Sequence, residues 1–165
     1  MNVVRLREVL KYSKRTGLFT WIKPTHPQSR RCVIGANAGH ASTSGHLQIC
    51  IDGKFHSSHR LAWLYVTGSW PDGDIDHRNG IPSDNRWSNL RLASRSQNVA
   101  NAKKRAGSKS TLKGVKYHAQ SNKWVGQLRV AGRALYLGIF KTPEKAHAAY
   151  VKAAREHFGE FARVR

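Results

Sequence analysis

The sequence predicts an α+β chain in two parts, and three observations lead there. Short apolar runs bounded by Gly, Asn, Asp and Ser recur along the first hundred residues, interrupted by helical periods. Residues 103–112, KKRAGSKSTL, are basic, small and polar with no apolar period, which is linker composition. Beyond them, three alternating segments precede one well-capped helix, the order of an antiparallel sheet covered on one face. The predicted parts are residues 1–102, a basic linker at 103–110, and residues 111–165.

In the first part, residues 3–12 place Val3, Leu6, Val9 and Leu10 on one helical face. Thr16-Gly17 breaks that period, and LFTWI reads as a strand. Residues 24–31 are rich in Pro, Ser and Arg and read as a loop. CVIGA, HLQICI and KFHSS read as short strands, the last two joined at Asp52-Gly53, a strong hairpin signal. Ser57 or Ser58 can cap the helix HRLAWLYVTG, with Leu61, Leu64 and Tyr65 as its apolar face and Gly68 as its stop. IDHRNG is a short strand entering a turn, residues 81–89 form a polar loop, and NLRLAS is a second strand. Ser94-Arg95-Ser96-Gln97 fits a capping box, so a helix should run from about Arg95 to Lys104.

In the second part, KGVKYH, KWVGQLRV and ALYLGIF are strands, with turns at residues 119–122 and at Ala131-Gly132. Thr142 caps the last helix, Pro143 takes its first position and Gly159 ends it. Ala146, Ala149, Tyr150 and Ala153 share one face, and Gly126 on the middle strand lets that face lie close. By strand alternation, Trp124, Gly126 and Leu128 face the helix, while Lys116, His118, Lys123, Gln127, Arg129 and Tyr136 collect on the opposite face.

Charge narrows the function. The 165 residues carry 29 Lys and Arg against 9 Asp and Glu, a net +20, so the partner classes are nucleic acid or an anionic membrane surface. A 39% apolar content argues against a disordered tail. No apolar run approaches the ~20 residues of a membrane span, and MNVVRLREVL lacks a signal-peptide core. The two cysteines, Cys32 and Cys50, suit neither a disulfide scaffold nor a C-x-x-C site, so a reduced cytoplasmic compartment is expected. Four of the nine acids (Asp72, Asp74, Asp76 and Asp84) fall within residues 72–84, and none occurs from Asn85 to Pro143, where thirteen bases stand. Pro-Asp-Gly-Asp is good turn chemistry. Yet carboxylates beside a basic stretch repel phosphate unless a metal ion neutralises them, which points to catalysis rather than plain binding.

The segment IDHRNGIPSDNRWSNLRLASRSQNVAN, residues 75–101, resembles the His-Asn-His (HNH) endonucleases of the phage and intron-encoded type whose motif opens with Asp-His. The resemblance implies a ββα-metal finger at about residues 74–104, carried on an N-terminal strand and helix extension. It implies His77 as general base, Asp76 and Asn98 as ligands of one divalent ion, and Asn89 as the structural asparagine that tethers the long loop, with Asn85 as the alternative. Asp and Asn oxygens suit Mg²⁺ or Mn²⁺ with open water positions. His59 is a candidate phosphate contact. Trp70 and Trp87 are expected to pack around the finger.

Residues 111–162 resemble the ethylene-response-factor (Apetala-type) DNA-binding domain through Lys113-Gly114-Val115-Lys116, Lys123 to Arg129, Tyr136 to Phe140 and the helix Thr142 to Gly159. That resemblance implies a three-stranded sheet that enters the major groove of double-stranded DNA, with Arg133 joining the six outer-face residues as DNA contacts. Tyr136 and Gln127 depart from the plant pattern, so its preferred bases do not carry over. The expected activity is that of a metal-dependent homing-type DNA endonuclease of a phage or phage-like element, acting in the host cytoplasm. A lone finger favours nicking. No feature demands an obligate protein partner. The alternatives are a non-catalytic DNA-binding regulator and an RNA-binding accessory protein.

Overall fold

A computed structural model of the chain describes residues 1–26, 32–103 and 110–164. It is a mixed α and β chain of small antiparallel sheets. It divides into two compact units, 1–92 and 93–165.

In the first unit, helix α1 (Val3–Val9) starts at Asn2, whose side chain accepts the Arg5 N–H at 2.9 Å. It stops at Val9, earlier than the periodicity suggests, because Leu10 turns extended and opens β1 (Leu10–Tyr12). Leu6, Val9 and Leu10 are all fully buried, so one apolar run serves a helix and then a strand. Strand β1 pairs with β2 (Phe19–Trp21), which pairs with β3 (Asn37–Ala38). The strand expected at residues 32–36 does not form. Those residues turn back toward β2, with Gly35 N–H on Trp21 O at 2.8 Å and Ala36 N–H on Val33 O at 3.0 Å. Val33 and Ile34 are 60% and 66% exposed, so their apolar character marks no buried face.

A second sheet holds β4 (His40–Ala41), β5 (Leu47–Ile51) and β6 (Lys54–Ser57), in that order. Its β5–β6 turn is the expected Asp52-Gly53, with positive φ at both residues (49° and 76°) as a tight hairpin requires. Helix α2 (Ser58–Thr67) follows at once. Ser57 occupies its N-cap position, but neither serine makes the expected cap: Ser57 makes no side-chain capping bond, and Ser58 Oγ is buried without a partner. Gly68 ends the helix in the left-handed region. Phe19, Ile49, Ile51, Leu61 and Leu64 join α1 in one core, and each such side chain removed from water contributes about 1.5–3 kcal/mol. Strands β7 (Asp74–His77) and β8 (Leu90–Ala93) form a two-stranded sheet.

In the second unit, α3 (Arg95–Asn101) begins with the predicted capping box: Ser94 Oγ accepts the Gln97 N–H, and Gln97 Oε1 accepts the Ser94 N–H at 2.8 Å. The helix ends at Asn101 rather than Lys104, because Ala102 turns extended. Its Ala100 packs with Leu128, Tyr150 and Phe158. The Ala100 carbonyl accepts Lys113 Nζ at 2.5 Å and Arg163 N–H at 3.3 Å. The compact units therefore part between Leu92 and Ala93, ahead of α3, and not in the basic stretch 103–110, of which 104–109 lie outside the described residues.

The three-stranded sheet has β10 (Lys123–Val130) in the centre, flanked by β9 (Val115–His118) and β11 (Arg133–Phe140). Helix α4 (Pro143–Phe158) covers it, capped by Thr142 Oγ1 on the Lys145 N–H at 3.4 Å. A Cβ on Gly126 would lie 3.0 Å from Ala146 O, so the absence of a side chain there is what admits the helix. A bulge follows Gly126: Gly126 opposes Gly138 but Gln127 opposes Tyr136, leaving Leu137 as the extra residue.

Candidate active site and nucleic-acid face

The site in the first unit grows from β7. Ile75, Asp76 and His77 are all buried, at 6%, 4% and 6% exposure, so both faces of this short strand are covered. Asp76 meets Arg91 on β8, whose Nε lies 2.8 Å from Oδ2. That guanidinium is itself 7% exposed, so the carboxylate carries its charge into the interior with a paired cation.

His77 points its Nε2 at Asn85 Oδ1, 3.0 Å away. Asn85 is 1% exposed and is gripped through its backbone as well, since the Tyr12 hydroxyl donates to its carbonyl at 2.6 Å. Burial, with Asp84 adding to it, pushes the Tyr12 hydroxyl well above its usual range, so it stays a donor. Gly17 sits at φ +74° against the same loop, and a Cβ there would fall 2.3 Å from Arg86 N and 2.4 Å from Asn85 C. Trp87 N–H bonds Lys14 O at 3.0 Å. The turn between β1 and β2 is thus a backstop for the residue that orients His77.

Asn89 works on the rest of the loop. Its Nδ2 donates to Asp84 O at 2.7 Å and to Asn79 Oδ1 at 3.1 Å, and its Oδ1 accepts the Asn79 N–H at 3.0 Å. Asp84 accepts from Asn79 Nδ2 at 2.7 Å and forms a two-point contact with Arg86, which holds its carboxyl down to about 2. The two asparagines divide the work: Asn89 closes the loop, and Asn85 touches the imidazole.

Two further histidines stand beside His77. The His59 ring centroid lies 5.2 Å from that of His77, and the His46 centroid lies 5.7 Å from His77 and 5.1 Å from His59. Burial first, then His77 and His46, hold His59 down to about 3, and its Nδ1 is buried without a hydrogen-bond partner. Burial, then His77, also lowers His46. Among the described residues no three His, Cys, Asp or Glu side chains converge as ligands of one ion. Asp76 supplies a hard carboxylate oxygen of the kind Mg²⁺ takes, and that ion keeps most of its shell as water and phosphate oxygen rather than protein. Asn98 lies half-buried on α3 in the second unit. Trp87 and Trp70 pack against the core of the first unit, as their spacing suggests: Trp87 on Trp63 at 5.2 Å, Trp70 against His56 with its Nε1 on Met1 O.

In the second unit, the register puts His118 opposite Lys123, Lys116 opposite Val125, Gln127 opposite Tyr136 and Arg129 opposite Ala134. Opposed residues share a face, and Lys116, His118, Lys123, Gln127, Arg129 and Tyr136 are all exposed, away from α4. Arg133 departs from this set: it opposes Val130 and so lies on the side that carries Leu128. Val125 and Ile139 give the outer face an apolar centre.

Sequence reasoning missed Arg91 and His46, and weighed Asn85 only as an alternative. Arg91 is in β8, fifteen residues from its partner, with no motif to mark it. The available signal for Asn85 was its place in a polar loop immediately after Asp84.

A family model for HNH endonucleases matches residues 57–100, which run from the end of β6 into α3. Protein 3.8 of Escherichia phage T7 is 32% identical over 108 residues, 65% of this chain and 88% of that protein. No helix among the described residues is long and apolar enough to cross a membrane.

Proposed function

We propose that this chain, which belongs to the HNH endonuclease family, is a metal-dependent DNA endonuclease of homing type whose C-terminal sheet docks the substrate. The observation that carries the reading is His77, buried on β7 with its ring oriented by Asn85. With Asn85 Oδ1 accepting from Nε2–H, the imidazole lone pair is on Nδ1, the nitrogen that takes the proton of the attacking water. Asn89 keeps the loop closed, so Asn85 holds that tautomer through the reaction. By the resemblance, Asp76 and Asn98 are the residues that would hold a Mg²⁺ or Mn²⁺ ion, which would supply charge stabilisation at the phosphate and the leaving oxygen. Arg91 balances the charge of Asp76 from β8. His59 lines the phosphate side of the site.

The outer face of the second unit, read as similar to an ethylene-response-factor sheet, lies in the major groove of duplex DNA. Lys116 and Lys123 meet phosphates there, and Gln127 and Arg129 meet base edges. The test is supercoiled plasmid with Mg²⁺ or Mn²⁺, wild type beside His77→Ala. Nicking by wild type and a loss of about 100-fold or more in the variant is expected. Equal cutting by both, or none by either, leaves a DNA-binding regulator as the better reading.

A further inference from the structure

The third imidazole of the cluster has no part in the reaction as described, yet it is the most deliberately held. His46 follows a tight turn in which Ser42 N–H bonds His46 O at 2.8 Å and Gly45 N–H bonds Ser42 O at 2.9 Å. Its Nδ1 lies 3.0 Å from Ser44 Oγ, which lies 2.8 Å from Ser42 Oγ. The chain can run in either direction, and one of the two makes His46 a hydrogen-bond donor through its far nitrogen. Ser42 donates to Ser44, Ser44 donates to Nδ1, and the ring proton goes to Nε2.

In that direction, and with Asn85 Oδ1 accepting from His77 Nε2, the neighbouring rings carry opposite tautomers: one ready to accept a proton, the other ready to donate a hydrogen bond. The cation form of His46 is disfavoured by burial and by His77 itself. His59 suits the task less well, since burial acts on it far more strongly and leaves its Nδ1 sealed from any partner.

We propose that His46, oriented by Ser44, donates its Nε2–H to a non-bridging oxygen of the scissile phosphate next to His77. This rests on the endonuclease reading. As charge develops on that oxygen the hydrogen bond strengthens, which makes it a transition-state interaction rather than one that adds to substrate affinity.

The experiment compares wild type, His46→Ala, His46→Gln, Ser44→Ala and His77→Ala in metal-activated plasmid nicking, with DNA affinity in EDTA and melting temperature measured on each. For His46→Ala, kcat should fall about 100-fold, the scale of one lost oxyanion donor, while KM and metal-free affinity hold. Gln carries an amide N–H at nearly the same reach, so His46→Gln should recover about tenfold of that loss, still within that donor's contribution. Ser44→Ala, which frees the tautomer, should lose about tenfold, the scale of a lost supporting contact. Wild-type kcat in His46→Ala overturns the proposal and leaves the nuclease reading standing. So does an equal loss in Ala and Gln that follows the melting temperature, since that is a packing role. If wild type and His77→Ala both fail to nick, the nuclease reading falls and this proposal falls with it.

Discussion

His59 shows how a single side chain can carry a pH signature. Its surroundings exclude the charged form down to about pH 3, whereas the unfolded chain binds a proton near 6.5. Between those values the unfolded state holds a proton that the folded state refuses, so stability falls as pH drops through 6.5 toward 3. His46 acts in the same direction. The lowered carboxylates, Asp84 among them, titrate at lower pH, from the unfolded value of 3.8 downward, and leave the upper part of the window to the histidines. His59→Gln should therefore flatten the fall of melting temperature between pH 6.5 and pH 4.5, measured by circular dichroism. Identical slopes in the two proteins would mean that His59 is charged in the folded state. The sequence marks His59 only as a histidine near a helix start. Its importance comes from two rings contributed by a hairpin and a distant strand, and no local pattern encodes that meeting.

At the level of elements, the turn between β1 and β2 has an effect out of proportion to its size. Gly17→Ala adds one methyl group where the loop backbone of Asn85 and Arg86 already lies, at a φ that disfavours alanine. The expected result is a stability loss of about 1–3 kcal/mol together with a lower nicking rate, because the displaced atoms belong to the residue that orients His77. Urea melts and plasmid nicking on the same preparation measure both. An unchanged rate at reduced stability would separate the turn from the site. Elements with chemical punctuation were legible: the Asp52-Gly53 hairpin, the Ser94–Gln97 capping box and the Thr142-Pro143 helix start all form where the residues indicate. Elements marked only by apolar character were not. Residues 32–36 form a turn, and Leu10 begins a strand, because burial against distant partners decides what an apolar run becomes. The bulge at Leu137 was invisible for the same reason, although the outer-face set survives it.

At the scale of the molecule, the +20 charge is the dominant property. Binding to duplex DNA should weaken steeply with salt, and each lysine that neutralises a phosphate contributes about 0.9 to the slope of log K against log salt. Replacing Lys116 and Lys123 together by Gln should make that slope shallower by about 2. Fluorescence anisotropy with a labelled duplex, titrated at several salt concentrations, measures it. A slope that does not change places the DNA elsewhere than on this sheet.

The seating of α3 has a consequence for how such a protein can be taken apart. The helix bearing Asn98 takes its buried contacts from Leu128, Tyr150 and Phe158, and its final carbonyls from Lys113. A cut in the basic stretch would part α3 from the side chains it packs on. A fragment ending at residue 102 would keep the letters of the motif and lose the scaffold under its last one. A cut that leaves both compact units intact falls upstream of Ala93 and carries the helix with the second unit.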